Sequence, residues 1–233
     1  ALIVAMSRLL SLPLLGIAHA VNPLASGGAM IGGLADPHAH VWSASADRVH
    51  IYATQDELSG NGTCCTGDWW IWSSADLIDW VPESQLPFFP WEPVELQTEF
   101  WATDAIERAG RFYWYVSVGG SQVAVATSAT PTGPWADPLG APLLNKSLGD
   151  SLVPPTSIRD PGALADDDGN YYLVFGACSG EQQPDDSCYY VAQLNEDMIS
   201  VQPPRHLSVK NAMGPYGPGK ADDKPFLHKR GDV

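Results

Sequence analysis

Basic residues are scarce in this chain. Its 233 residues hold 12 Lys and Arg against 27 Asp and Glu, a formal net charge of −15. A nucleic-acid partner requires a basic face to neutralise phosphates, so that class is excluded. Helical patterning is scarce too. No stretch keeps apolar residues at a 3.6-residue period over several turns, and 22 Gly and 20 Pro interrupt the short apolar runs. That excludes a helical bundle and points to an all-β chain. Beyond the N-terminal region no apolar run is long enough to span a bilayer. Cysteine and histidine are few, four and six. Their spacing does not make a zinc site, and neither metal nor cofactor is expected. Large flat side chains are plentiful, with nine Trp. At 45% hydrophobic residues, the chain can bury the core of one globular domain.

The first twenty residues read as a secretory signal. Met6-Ser7-Arg8 is a basic n-region, Leu9 to Ile17 an apolar h-region, and Ala18-His19-Ala20 a small-residue cleavage site. Cleavage there leaves residues 21–233 as the mature domain. Residues 1–5 precede the start Met and have no reading. An oxidising destination suits a local disulfide between Cys178 and Cys188, which flank a polar loop between two strands. The adjacent Cys64 and Cys65 then form a vicinal bond, pair outside the chain or stay free. Asn61 and Asn145 begin glycosylation sequons.

A phrase built on aspartate recurs. Ile158-Arg159-Asp160-Pro161 leads into a hairpin: a short strand at 163–165, a turn over Asp166-Asp167-Asp168-Gly169, and an aromatic strand at 170–175. Pro161 is expected to hold Asp160 extended. Similar openings carry Asp36, Asp104 and Asp223, each just ahead of a strand. The four carboxylates are spaced by 68, 56 and 63 residues. One such unit every 60 residues or so suggests the blades of a β-propeller. The units begin near residues 32, 99, 158 and 220. The first strand of each blade lines the axis, so Asp36, Asp160 and Asp223 would converge on one acidic pocket at its mouth.

The phrases Ala35-Asp36-Pro37, Phe100-Trp101-Ala102-Thr103-Asp104, Thr132-Gly133-Pro134-Trp135, Ile158-Arg159-Asp160-Pro161-Gly162 and Pro225-Phe226-Leu227-His228-Lys229-Arg230 occur in this order. In that arrangement the chain resembles glycoside hydrolase family 43. The resemblance implies a five-bladed β-propeller, of which about three and a half blades are expected here. It implies a secreted enzyme that hydrolyses terminal β-xylosyl or α-L-arabinofuranosyl bonds of plant cell-wall polysaccharide or oligosaccharide with inversion, and a monomer when complete. By the same resemblance Asp36 is the general base and Asp160 the carboxylate that positions the general acid and raises its pKa. Asp223 takes the acid's position, where the family carries Glu before a small residue and Pro. Here Lys224 stands in place of the small residue.

The chemistry asks for such a set independently. Inverting hydrolysis needs two carboxyl groups roughly 6.5–9.5 Å apart with a water between. A third carboxylate nearby keeps the acid protonated by like-charge repulsion. Around these, Trp101 is placed either to stack on a pentose or to pack a blade. Asp104 supports the pocket or its own turn, and Arg159 meets substrate or a neighbouring carboxylate. His38 and His40 alternate along one strand, so they face one side: toward sugar, toward an axial ion, or into blade packing. Two other classes stay open: a carbohydrate-binding propeller without turnover, suggested by Asp223-Lys224, and an inactive fragment, suggested by Val233 falling mid-hairpin.

Overall fold

A computed structural model describes residues 33–56, 68–86, 89–91, 100–178, 187–209, 224–229 and 231, with the backbone of 213–214 and 217–218. Residues 1–20, read above as a signal, and Asn61, Cys64, Cys65 and Asp223 lie outside the described residues.

Alternating apolar residues and Gly-punctuated turns produce antiparallel sheets. The first is β1 (Gly33–His40), β2 (Val49–Asp56), β3 (Trp69–Ser74) and β4 (Val81–Gln85), hydrogen-bonded in that order. The second is β5 (Phe100–Arg108), β6 (Arg111–Val118) and β7 (Gln122–Ser128). The third is β8 (Gly162–Ala165), β9 (Tyr171–Phe175), β10 (Tyr189–Gln193) and β11 (Arg205–Leu207). A two-stranded ribbon follows, β12 (Met213–Gly214) and β13 (Gly217–Pro218). Each sheet is a meander whose opening strand faces the next sheet's opening strand: β1 packs on β5, and β5 on β8. These are successive propeller blades with their first strands innermost.

Strand β6 shows why the blades stack. Phe112, Trp114, Val116 and Val118 point toward the first blade, where they meet Tyr52, Trp69 and Ile71. Tyr113 and Tyr115 point the other way, toward Leu173, Phe175 and Tyr190 of the third. A strand's period of two sends alternate residues to opposite faces, and here both faces are apolar and buried. A middle blade must therefore be covered on both sides. Trp114 is fully buried, with Tyr52 and Trp135 each 5.3 Å away between ring centroids.

The third hairpin forms as the sequence implies. Asp166 accepts from Gly169 N at 3.0 Å, and Gly169 takes φ +85°, a conformation that a side chain would resist. The Cys178–Cys188 disulfide is present, with both residues buried. One element escaped the periodicity search. Helix α1 (Lys146–Ser151) is six residues long, too short for a 3.6-residue pattern to show. It is started by Asn145, whose side chain accepts from Leu148 N at 3.0 Å.

Candidate active site

Two of the leading aspartates share an unusual backbone. Asp36 sits inside β1, not ahead of it as its phrase suggested. The β1–β2 register slips between Ala35 and His38, so a bulge falls at Asp36-Pro37. Pro costs no ladder bond at such a place. Asp36 has φ +48°. Asp160 lies just before β8 and has φ +59°. The extended conformation expected from Pro161 is therefore not adopted. The chain is pinned on both sides instead: Asp160 N donates to Ser117 Oγ at 2.7 Å, and Arg159 O accepts from Gly176 N at 2.8 Å. Aspartate tolerates the left-handed region better than most residues. A left-handed aspartate in the bulge of one inner strand and at the opening of another is the kind of local strain found at functional sites.

Asp104 proves different from the other leading residues. The register of β5 slips between Trp101 and Thr103, so Asp104 stands past its bulge, within the strand. It is almost wholly buried. Its Oδ1 lies 2.8 Å from His38 Nδ1 and from His40 Nε2 and accepts from Ala105 N, while Oδ2 accepts from Ala163 N at 2.7 Å. One carboxylate thus ties β1, β5 and β8 together. Burial alone would push its pKa up, but the hydrogen bonds from His38 and His40 prevail and hold it well below the ordinary carboxylate range. The two histidines do face one side, as their alternation implied. With Asp104 they form the one cluster of metal-type donors among the described residues. Both histidines direct a ring nitrogen at a single carboxylate oxygen, which makes the cluster a hydrogen-bonded brace. His40 also stacks on Trp42, with ring centroids 4.5 Å apart.

Trp101 and Arg159 meet at the axis. The guanidinium lies 5.2 Å over the indole, and Arg159 Nε is 3.6 Å from Asp160 Oδ2. Trp101 is half-buried, held through its carbonyl by Trp69 Nε1 at 2.9 Å. Arg159 therefore lies beside a neighbouring carboxylate and over an aromatic face at once.

Residues 224–229 reach the axis without forming a strand and run beside β8. Gly162 permits the close approach, since a Cβ there would come within 2.8 Å of Pro225 O. Lys224 turns inward. Its Nζ donates to Asp36 O at 3.3 Å and to Thr103 O. Desolvation pulls its pKa down to about 8, against the opposing pull of Asp104, Asp36 and Asp160. A cavity of about 550 Å³ is lined by His38, His40, Trp42, Asp104, Glu107 and Phe226.

Lys224 thus touches the backbone of β1 and β5 and feels the charges of Asp36, Asp104 and Asp160 from three blades, with Arg159 between Asp160 and Trp101. A sequence model of the glycosyl hydrolases family 43 matches residues 33–233. The chain belongs to glycosyl hydrolase family 43. An arabinoxylan arabinofuranohydrolase of Bacillus subtilis is 29% identical over 195 residues, covering 72% of this chain and 37% of its own. A β-D-galactofuranosidase of Aspergillus niger is 29% identical over 183 residues, covering 73% and 48%. The solved α-L-arabinofuranosidase of Clostridium thermocellum superposes with a TM-score of 0.64 at 27% identity, over 84% of this chain and 60% of that one. The chain thus spans less than half the length of these curated relatives. The architecture is that of the five-bladed β-propeller, with three blades and the approach to a fourth described here.

Within this family 43 chain, sequence reasoning found Asp36, Asp104, Asp160, Trp101, Arg159 and His38, and the fold collects them at or along the axis. It missed Ser117, which carries no local signal because its partner, Asp160, is 43 residues away. It named Lys224 only as a neighbour of the acid position. A charged residue where the family phrase has a small one was the available signal.

Proposed function

We propose that this chain forms part of a secreted glycoside hydrolase that cleaves terminal β-xylosyl or α-L-arabinofuranosyl bonds of plant cell-wall polysaccharide or oligosaccharide with inversion. The observation that carries the reading is the pairing of Asp36 and Asp160. They stand 124 residues apart in sequence, yet share a left-handed backbone, and both act electrostatically on Lys224. Asp36 acts as general base, its carboxylate drawing a proton from the attacking water. Asp160 supplies the fixed negative charge that favours a protonated acid nearby. Asp223 takes the acid position, and Trp101 offers a flat face to the pentose. Several anionic groups at one mouth also suit a transition state that gathers positive charge at the anomeric carbon. The signal-like N-terminus and the Cys178–Cys188 bond support export.

The test uses Asp36→Asn in the full-length protein, assayed on aryl β-xyloside and aryl α-L-arabinofuranoside. Turnover is expected to fall by about three orders of magnitude or more while oligosaccharide affinity stays nearly unchanged. Near-normal turnover would remove Asp36 from the mechanism. Oligosaccharide binding by the wild type without any released sugar would make the protein a binding propeller.

A further inference from the structure

Both carbonyls that receive Lys224 belong to β-bulges. Asp36 lies within the bulge of β1, and Thr103 closes the bulge of β5. A bulge disrupts the ladder locally and leaves backbone groups in need of other partners. Two oxygens from adjacent blades are thereby turned toward the axis, and the lysine side chain crosses the channel from the 224–229 segment to meet them. Carrying a charge into such a place is costly unless it is paired. Here the compensation is long-range: the charges of Asp104 in β5, Asp36 in β1 and Asp160 ahead of β8 all favour the ammonium.

We propose that Lys224 is a positioning residue, a tethered internal cation that keeps the Asp36 carboxylate ionised as general base and fixes the β1 bulge that carries it. The inference rests on the hydrolytic reading of the site. The neighbouring charges are already engaged elsewhere. His38 and His40 face Asp104, Arg159 stands beside Asp160, and Lys229 on the same segment pairs with Asp166. His228, also on that segment, stacks on Phe226. Among the described residues, Lys224 is thus the cation that both touches the Asp36 backbone and feels the charges of all three carboxylates. A cation here lowers the pH at which the base becomes competent. It also opposes the repulsion that would hold a neighbouring acid protonated, so the chain favours the base at the expense of the acid.

Because burial lowers the lysine's pKa to about 8, the cation is present below that pH and lost above it. Folding stability carries a matching signature. Between about 8 and 10.5 the unfolded chain holds a proton on Lys224 that the folded chain has released, so this group's contribution rises with pH across that window.

The experiment compares wild type, Lys224→Met and Lys224→Arg in the full-length protein. Rates on an aryl α-L-arabinofuranoside are followed against pH, and the Asp36 carboxyl is titrated by carbon NMR, assigned with Asp36→Asn. In Lys224→Met, the acid limb and the carboxyl midpoint should both rise by about one pH unit or more, the effect of removing a close opposite charge. Lys224→Arg should restore both. An unmoved carboxyl midpoint in Lys224→Met overturns the inference. If Lys224→Met does not fold, the Asp36 carboxyl midpoint of the wild type decides: one held below the ordinary value of about 4 supports the inference, and one at or above it overturns it. A wild type that cleaves neither glycoside defeats the hydrolytic reading, while the carboxyl midpoints still judge the role of Lys224.

Discussion

At the scale of single residues, the site is a division of labour among aspartates that look alike in sequence. Asp36 and Asp160 hold left-handed backbones at the axial mouth, while Asp104 spends its oxygens on four donors from three strands. Asp104→Ala would strand His38, His40 and the Ala163 amide without an acceptor. A loss of roughly 3–5 kcal/mol in urea unfolding is expected, the cost of breaking a buried charged network from one side. A change below 1 kcal/mol would show that the brace is dispensable. The pH dependence has a defined sign. The folded pKa of Asp104 is depressed, so its stabilisation is complete above the unfolded value of about 4 and declines as pH falls below it. Asp104→Ala should therefore lose less stability on acidification than wild type does. The sequence displayed these aspartates but could not separate them, because the difference lies in register. A bulge at Trp101–Thr103 puts Asp104 past the mouth, and a slip of one residue leaves no trace in composition.

At the scale of elements, the hairpins were the most legible parts. The turn at Asp166–Gly169 and the aromatic strand after it follow from turn chemistry and β-propensity alone. Helix α1 was not legible, since six residues cannot display a helical period. Nor was the left-handed backbone of Asp160. A following proline argues for an extended residue, and the hydrogen bonds that Asp160 N donates to Ser117 Oγ and that Arg159 O accepts from Gly176 N override that local preference. The Cys178–Cys188 bond was legible because two cysteines flanked a polar loop between strand patterns. It joins the start of that loop to the entry of β10. Cys178→Ser should lower unfolding stability by about 2–3 kcal/mol, as expected for a short closed loop. An unchanged denaturation midpoint would mean that the bond adds nothing to the fold.

At the scale of the whole molecule, function depends on convergence. No blade carries the site alone: β1 brings Asp36, β5 brings Trp101 and Asp104, the approach to β8 brings Arg159 and Asp160, and the 224–229 segment brings Lys224. The repeat of aspartate-led phrases made this convergence readable before any coordinates, because blades of one propeller must aim equivalent strand ends at one axis. Distances across the axis were not readable, since they depend on how the twisted sheets pack. The central claim is hydrolysis with inversion, water being activated by Asp36 opposite the departing group. The most direct measurement is proton NMR of the first sugar released by the full-length protein from an aryl β-xyloside or aryl α-L-arabinofuranoside, taken before mutarotation. The account predicts α-xylose from the former or β-L-arabinofuranose from the latter. First-formed sugar with the substrate's own anomeric configuration would contradict it.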